Sequence, residues 1–251
     1  MARVRPFQGV MICLVVGLGS RAICGDEPSR KADVVSPTVQ LRNGNKTGSG
    51  TVFRSVQNDT LILTAAHVVN GGSDLKVEIH RHNLNPNTRN PMLTEGGGWP
   101  KLVPATVEAI DSAADVALVR IRGMAPLPRV CRFDPNSPEP TVGNVLTSVG
   151  IDRSLHLTRW TTGIVGPTLF EVIPGEGKRR FTITTRFPEH GHSGGGLFRA
   201  DGTVVGVCVG QLTLKPGVPK VGLFASVGSV RKLFDEYEGK TAPAKNVGGE
   251  F

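Results

Sequence analysis

Apolar and polar positions alternate in short runs along most of this chain, and turn-forming residues separate the runs. "TVFRSV" (51–56) and "TLILTA" (60–65) flank Gln57, Asn58 and Asp59, which predicts a hairpin. "LKVEIH" (75–80) alternates as a half-buried strand does, whereas "DVALVRI" (115–121) is almost continuously apolar, the signature of a strand covered on both faces. Residues 81–100 are rich in Asn, Pro and Gly without periodicity and read as a long loop. "FDPNSPEPTVG" (133–143) reads as a link between two halves. Strand-like runs resume at "VLTSVG", "TTGIVG", "RFTITTRF", "TVVGVCVG" and "VGLFAS". Helical spacing occurs over 227–240, with Val230, Leu233 and Phe234 on one face and Ser229 as candidate cap. Strands throughout with one terminal helix predict an all-β protein.

Composition supports that reading: 32 Gly and 18 Pro in 251 residues suit many short strands and turns. The N-terminus changes the picture more. A basic start (Arg3, Arg5), an apolar run from Val10 to Gly19 and small residues at Ser20 and Ala22 predict a secretory signal over residues 1–25. A membrane span needs about 20 apolar residues, so stable membrane insertion after signal cleavage is not expected. The expectation is a secreted or periplasmic protein, with a polar linker over 26–37 and a loose tail over 241–251. Loss of the signal would lower the formal charge from +8 to about +5. No Lys/Arg run and no aromatic interleaving mark a nucleic-acid partner. Cysteines stand at 13, 24, 131 and 208 without a C-x-x-C pair, which gives no support for structural zinc. His80 and His82 form H-x-H with no carboxylate or Cys pattern beside them, so no metal or other cofactor is expected.

Candidate chemistry centres on "EHGHSGGGLF" (189–198), where Gly191 to Gly195 match G-x-S-x-G. An α/β-hydrolase elbow would need a helix after the serine and a histidine beyond it. No histidine follows Ser193, and the next residues form an Asp-Gly hairpin signal at Asp201-Gly202. That reading fails. "LILTAAHVV" (61–69), "DSAADVALVRI" (111–121) and "GHSGGGLF" (191–198) then stand in the order His, Asp, Ser. In that order and in these contexts they resemble the three catalytic boxes of the trypsin-like (chymotrypsin-type) serine proteases. "GSGTVF" (48–53), "TTGIVG" and "VGLFAS" resemble the bacterial HtrA-like branch. The resemblance covers about residues 38–238.

The resemblance implies two six-stranded antiparallel β-barrels, one over about 38–125 and one over about 140–226, followed by a short helix. It implies Ser193 as nucleophile, His67 as general base and Asp115 as the acid that orients it, with Asp111 a rival acid. The oxyanion would meet the N–H groups of Gly191 and Ser193. Phe187 would lie at the base of the pocket for the residue before the scissile bond, favouring a small or apolar side chain over Arg or Lys. Val209, Gly210 and Gln211 would pair with a protein or peptide substrate as an added strand. His190 and His192 are expected to line the cleft or face solvent. A Cys24–Cys131 bridge is implied by analogy, with Cys208 a buried free thiol. Where zymogen-type members carry an Asp before the serine, this chain has His192, so activation through a freed N-terminus is not expected. Only 58 residues follow Ser193, too few for the remaining strands and a PDZ domain as well. A non-catalytic, protease-like binding module is the alternative reading, and a polyanion-binding protein a third.

Overall fold

The computed structural model describes residues 32–72, 74–84, 98–171, 174–213 and 216–241. The expected signal segment, Cys24 and hence its bridge, most of the 81–100 loop and the tail after Thr241 lie outside the described residues. Seven strands fill the first half: β1 (Thr38–Asn43), β2 (Lys46–Val56), β3 (Asp59–Thr64), β4 (Leu75–Ile79), β5 (Lys101–Pro104), β6 (Thr106–Asp111) and β7 (Val116–Arg122). A single turn of helix, α1 (Ala66–Val69), follows β3. The second half holds β8 (Val145–Ile151), β9 (Leu157–Phe170), β10 (Arg179–Thr184), β11 (Gly196–Phe198), β12 (Val204–Leu212) and β13 (Val221–Ser226), then helix α2 (Val227–Thr241). The described residues are all-β apart from these helices and one 3-10 turn at Arg81–Asn83.

The second half closes into a six-stranded barrel in the order β10-β13-β12-β11-β8-β9. The first half differs from a simple closed ring. Its ladder runs β5-β4-β1-β2-β3-β7-β6, and the two end strands are not paired to each other. They are successive pieces of one stretch of chain, separated by Ala105 alone, whose N–H donates to Leu75 O at 2.9 Å. Pro104 has no N–H to extend a ladder, and β5 ends there. The covalent chain, not a hydrogen-bond ladder, therefore joins the sheet's ends.

Alternation explains why some strands are apolar throughout. On β3 and β7, Ile62, Ala117, Val119 and Ile121 face the interior of the first half. Leu61, Leu63, Val116 and Leu118 face the other way, into a core shared with Phe181, Phe198, Leu223 and Ala225 of the second half. β13 is buried at every position for the same reason, with Phe224 turned into its own barrel beside Leu197 and Cys208. Helix α2 seals this shared core with Val230, Leu233, Phe234 and Tyr237. The β2–β3 register skips Phe53, a bulge that turns its ring onto Phe234, with centroids 4.0 Å apart. The helix is capped by Ser226, whose Oγ accepts the N–H of Ser229 at 3.3 Å; Ser229, the residue expected there, lies inside the first turn. Cys131 and Cys208 are buried and form no disulfide with each other, and burial pushes the Cys131 thiol up to about 12. Among the described residues no helix is long and apolar enough to cross a membrane.

Candidate active site

His67 sits on α1, immediately beyond β3, where the first turn of a helix leaves backbone N–H groups without partners. Asp115 takes one of them. Its Oδ1 accepts the N–H of His67 at 2.8 Å, and its Oδ2 accepts the imidazole Nδ1–H at 2.6 Å. Asp115 ends a tight turn, its N–H bonded to Ser112 O at 3.1 Å, with φ at +56°. That left-handed conformation is uncommon for a residue with a side chain, and it aims the carboxylate back at α1. The carboxylate is 3% exposed and the imidazole 48%, so a buried acid holds an accessible base. Asp111 is directed elsewhere. Its Oδ1 accepts the N–H of Ala114, while Oδ2 lies 3.7 Å from both Arg179 and Lys232.

Ser193 joins His67 in lining a cavity of about 600 Å³, together with Lys46, Arg153, His190 and Gly191. Its hydroxyl donates to Val209 O at 3.3 Å, so the side chain is turned toward β12. A second cavity of about 630 Å³ shares Ser193, Arg153 and His190 and is lined in addition by Phe187, Val209, Gly210 and Gln211. All the residues expected to bind substrate thus surround Ser193. Phe187 is 42% exposed there, and Asp152 and Glu189 share the wall with Arg153 and Lys220.

The loop carrying Ser193 is fixed by its carbonyls. His190 O accepts from Arg153 N at 3.1 Å, Gly191 O from the Ser49 hydroxyl at 2.8 Å, His192 O from Gly195 N at 2.9 Å and Ser193 O from Ser49 N at 2.7 Å. In a trans peptide the N–H points opposite the carbonyl, so these anchors also set the directions of the following N–H groups. The N–H groups of Gly191 and Ser193 donate to no acceptor among the described residues. Gly191 has φ +94°, and a Cβ there would stand 2.7 Å from Arg153 N; Gly194 has φ +88°, and a Cβ would meet Ser49 O at 2.1 Å. Both positions require glycine.

His192 departs from expectation. It neither lines the cleft nor faces solvent: it is 1% exposed. Its ring enters the wall of the second barrel, where Nε2 is 3.0 Å from the Ser148 hydroxyl and Nδ1 3.1 Å from the Thr158 hydroxyl. Trp160 packs against it at 5.5 Å. Two hydroxyls can serve a neutral ring, one donating and one accepting. Burial accordingly pulls its pKa from the ordinary 6.5 down to about 4, against an opposing pull from Asp152. His190 does line the cleft. Ser49, Ser148 and Thr158 went unread in the sequence, although Ser49 stands inside the "GSGTVF" motif. Of the H-x-H pair, His80 lies 3.4 Å from Glu78 and His82 bonds Thr38 O at 2.8 Å.

Residues 48–207 match the family model described as the trypsin-like peptidase domain. The chain is 28% identical over 198 residues to putative protease Do-like 14 of Arabidopsis thaliana, covering 78% of this chain and 42% of that one. It is 31% identical over 163 residues to serine protease HTRA1 of Xenopus laevis, covering 64% of this chain and 30% of that protein. It therefore spans less than half the length of these relatives. In fold it is similar to the Rv3671c protease in an inactive form (TM-score 0.60, 22% identity, 81% of this chain and 90% of that one). The serine endoprotease of Yersinia pestis is similar too (TM-score 0.58, 18% identity, 83% and 65%).

Proposed function

Because this chain belongs to the trypsin-like peptidase family, we propose that it is a serine endopeptidase acting through His67, Asp115 and Ser193. The 2.6 Å bond from His67 Nδ1–H to Asp115 carries the reading. It puts the ring proton on Nδ1, so Nε2 keeps the lone pair that a general base needs. Ser193 Oγ swings from the Val209 carbonyl to Nε2, gives up its proton and bonds the scissile carbonyl carbon. The carbonyl π pair moves onto oxygen, where the N–H groups of Gly191 and Ser193 receive the charge. Collapse restores the carbonyl and breaks the C–N bond, and the leaving amine takes the proton from His67. Water then attacks the acyl-enzyme by the same route in reverse.

The substrate is a protein or peptide, laid as a strand along Val209–Gln211. Phe187 supplies no carboxylate for an Arg or Lys side chain, and the acids and bases around that cavity balance. A small or apolar residue before the scissile bond fits it. Export belongs to the same reading and rests on the basic and apolar pattern of residues 1–22.

Labelling by a fluorophosphonate probe tests the chemistry. The wild type should label, and Ser193→Ala and His67→Ala should not. A folded wild type that stays unlabelled would mean that Ser193 is not activated, and the chain would then be a protease-like binding module.

A further inference from the structure

The two cavities that meet at Ser193 differ in charge, and the chemistry assigns each a direction. A general base that has taken the serine proton must return it to the leaving amine. His67 lines the first cavity and not the second, whereas Val209–Gln211 line the second and not the first. The substrate chain beyond the scissile bond therefore leaves through the His67 cavity. Its wall carries the cations Lys46 and Arg153 and no carboxylate.

Those cations are not spent on the protein. Lys46 Nζ donates to the carbonyl of Asn70 at 3.0 Å, a neutral partner, and neither it nor Arg153 forms an ion pair among the described residues. Asp115, the acid held by His67, is 3% exposed and already takes two hydrogen bonds. Arg42 and Arg120, by contrast, pair with carboxylates, Arg42 with Glu78 and Arg120 with Asp59. Arg153 lines the second cavity as well, where Asp152, Glu189 and Lys220 stand with it, so Lys46 is the cation confined to the first. A cleft lined by one sign of charge between low-dielectric walls attracts the opposite sign.

Building on the endopeptidase reading, we propose that the enzyme selects Asp or Glu in the first two positions on the leaving-group side of the scissile bond, through Lys46 and Arg153. Lys46 belongs to the leaving-group cavity alone, which makes it the sharper determinant of the two. Exposed charge pairs of this kind set a preference of about 1.5- to fivefold.

The test is digestion of a proteome-derived peptide library by the full chain, with new N-termini identified by mass spectrometry and Ser193→Ala as background. Asp and Glu should be enriched about 1.5- to fivefold over Lys and Arg in the two positions after the cut. Lys46→Glu and Arg153→Glu should abolish or invert that enrichment. Salt at about 0.5 M, where screening acts over about 4 Å, should shrink it. The labelling rate of each variant by a fluorophosphonate normalises for any change at the nucleophile. Ser193-dependent cuts without acidic enrichment, or with the same enrichment in both variants, would overturn the proposal and leave the endopeptidase reading intact. No Ser193-dependent cuts and no labelling would overturn both.

Discussion

The imidazole of His192 lies over Gly150 so closely that a Cβ on Gly150 would come within 2.7 Å of the ring's Cγ. Since His192 immediately precedes Ser193, displacing its ring should displace the proposed nucleophile. Gly150→Ala should slow fluorophosphonate labelling at least about tenfold, because small misplacements of reacting groups are costly. It should lower stability by only about 1–3 kcal/mol. Parallel labelling and urea melts check this, and a variant that labels at the wild-type rate would show that the ring does not position the serine.

Acid should loosen the same contact. His192 has a folded pKa of about 4, below the ordinary 6.5, so the unfolded chain binds a proton that the folded chain refuses between those values. Its contribution is present above pH 6.5 and is lost as the pH falls toward 4, by up to about 3 kcal/mol. Denaturant melts of wild type and His192→Asn across that range should converge as the pH drops. A constant gap between the two curves would rule out this titration.

Asp115→Asn should leave the fold in place and remove most of the activity. An amide at the same position no longer holds Nδ1 protonated, and wrong-tautomer variants of such triads lose about four orders of magnitude in turnover. Peptide hydrolysis should fall by about that factor, while Asp111→Asn, whose carboxylate bonds Ala114 N–H and faces Arg179 rather than His67, should retain activity within about threefold.

Phe234→Ala tests the shared core. The ring is 5% exposed, stacks on Phe53 at 4.0 Å and meets Phe133 at 4.9 Å. Removing it should cost about 3–5 kcal/mol in a thermal or denaturant melt.

The catalytic candidates were legible in the sequence because each stands in a distinctive local frame. Thr64-Ala65-Ala66-His67 closes an apolar strand, Asp115 opens one, and Ser193 is set among glycines. The partners that hold them were not legible. The Ser49 hydroxyl binds residues 102 and 142 positions away, at Ile151 and Gly191, and no local pattern announces such contacts. The place of His192 depends likewise on Ser148 and Thr158, which β8 and β9 bring together. The sign of its environment was the error: a polar ring beside a nucleophile reads as cleft-lining until two hydroxyls give it a buried site. β5 and β6 were hidden by the break between them at Pro104-Ala105 and by the exposure of Leu102, Val107 and Ile110, which breaks the alternation.

Ser49 belongs to the first half and the loop it grips belongs to the second, with two bonds crossing to Ser193 O and Gly191 O. In the proposed reaction, Ser193 is thus a gauge of how tightly the halves are docked. A molecule that wedged them apart by about an ångström would break both bonds and silence Ser193 without touching it, and one that clamped them together would hold the loop ready.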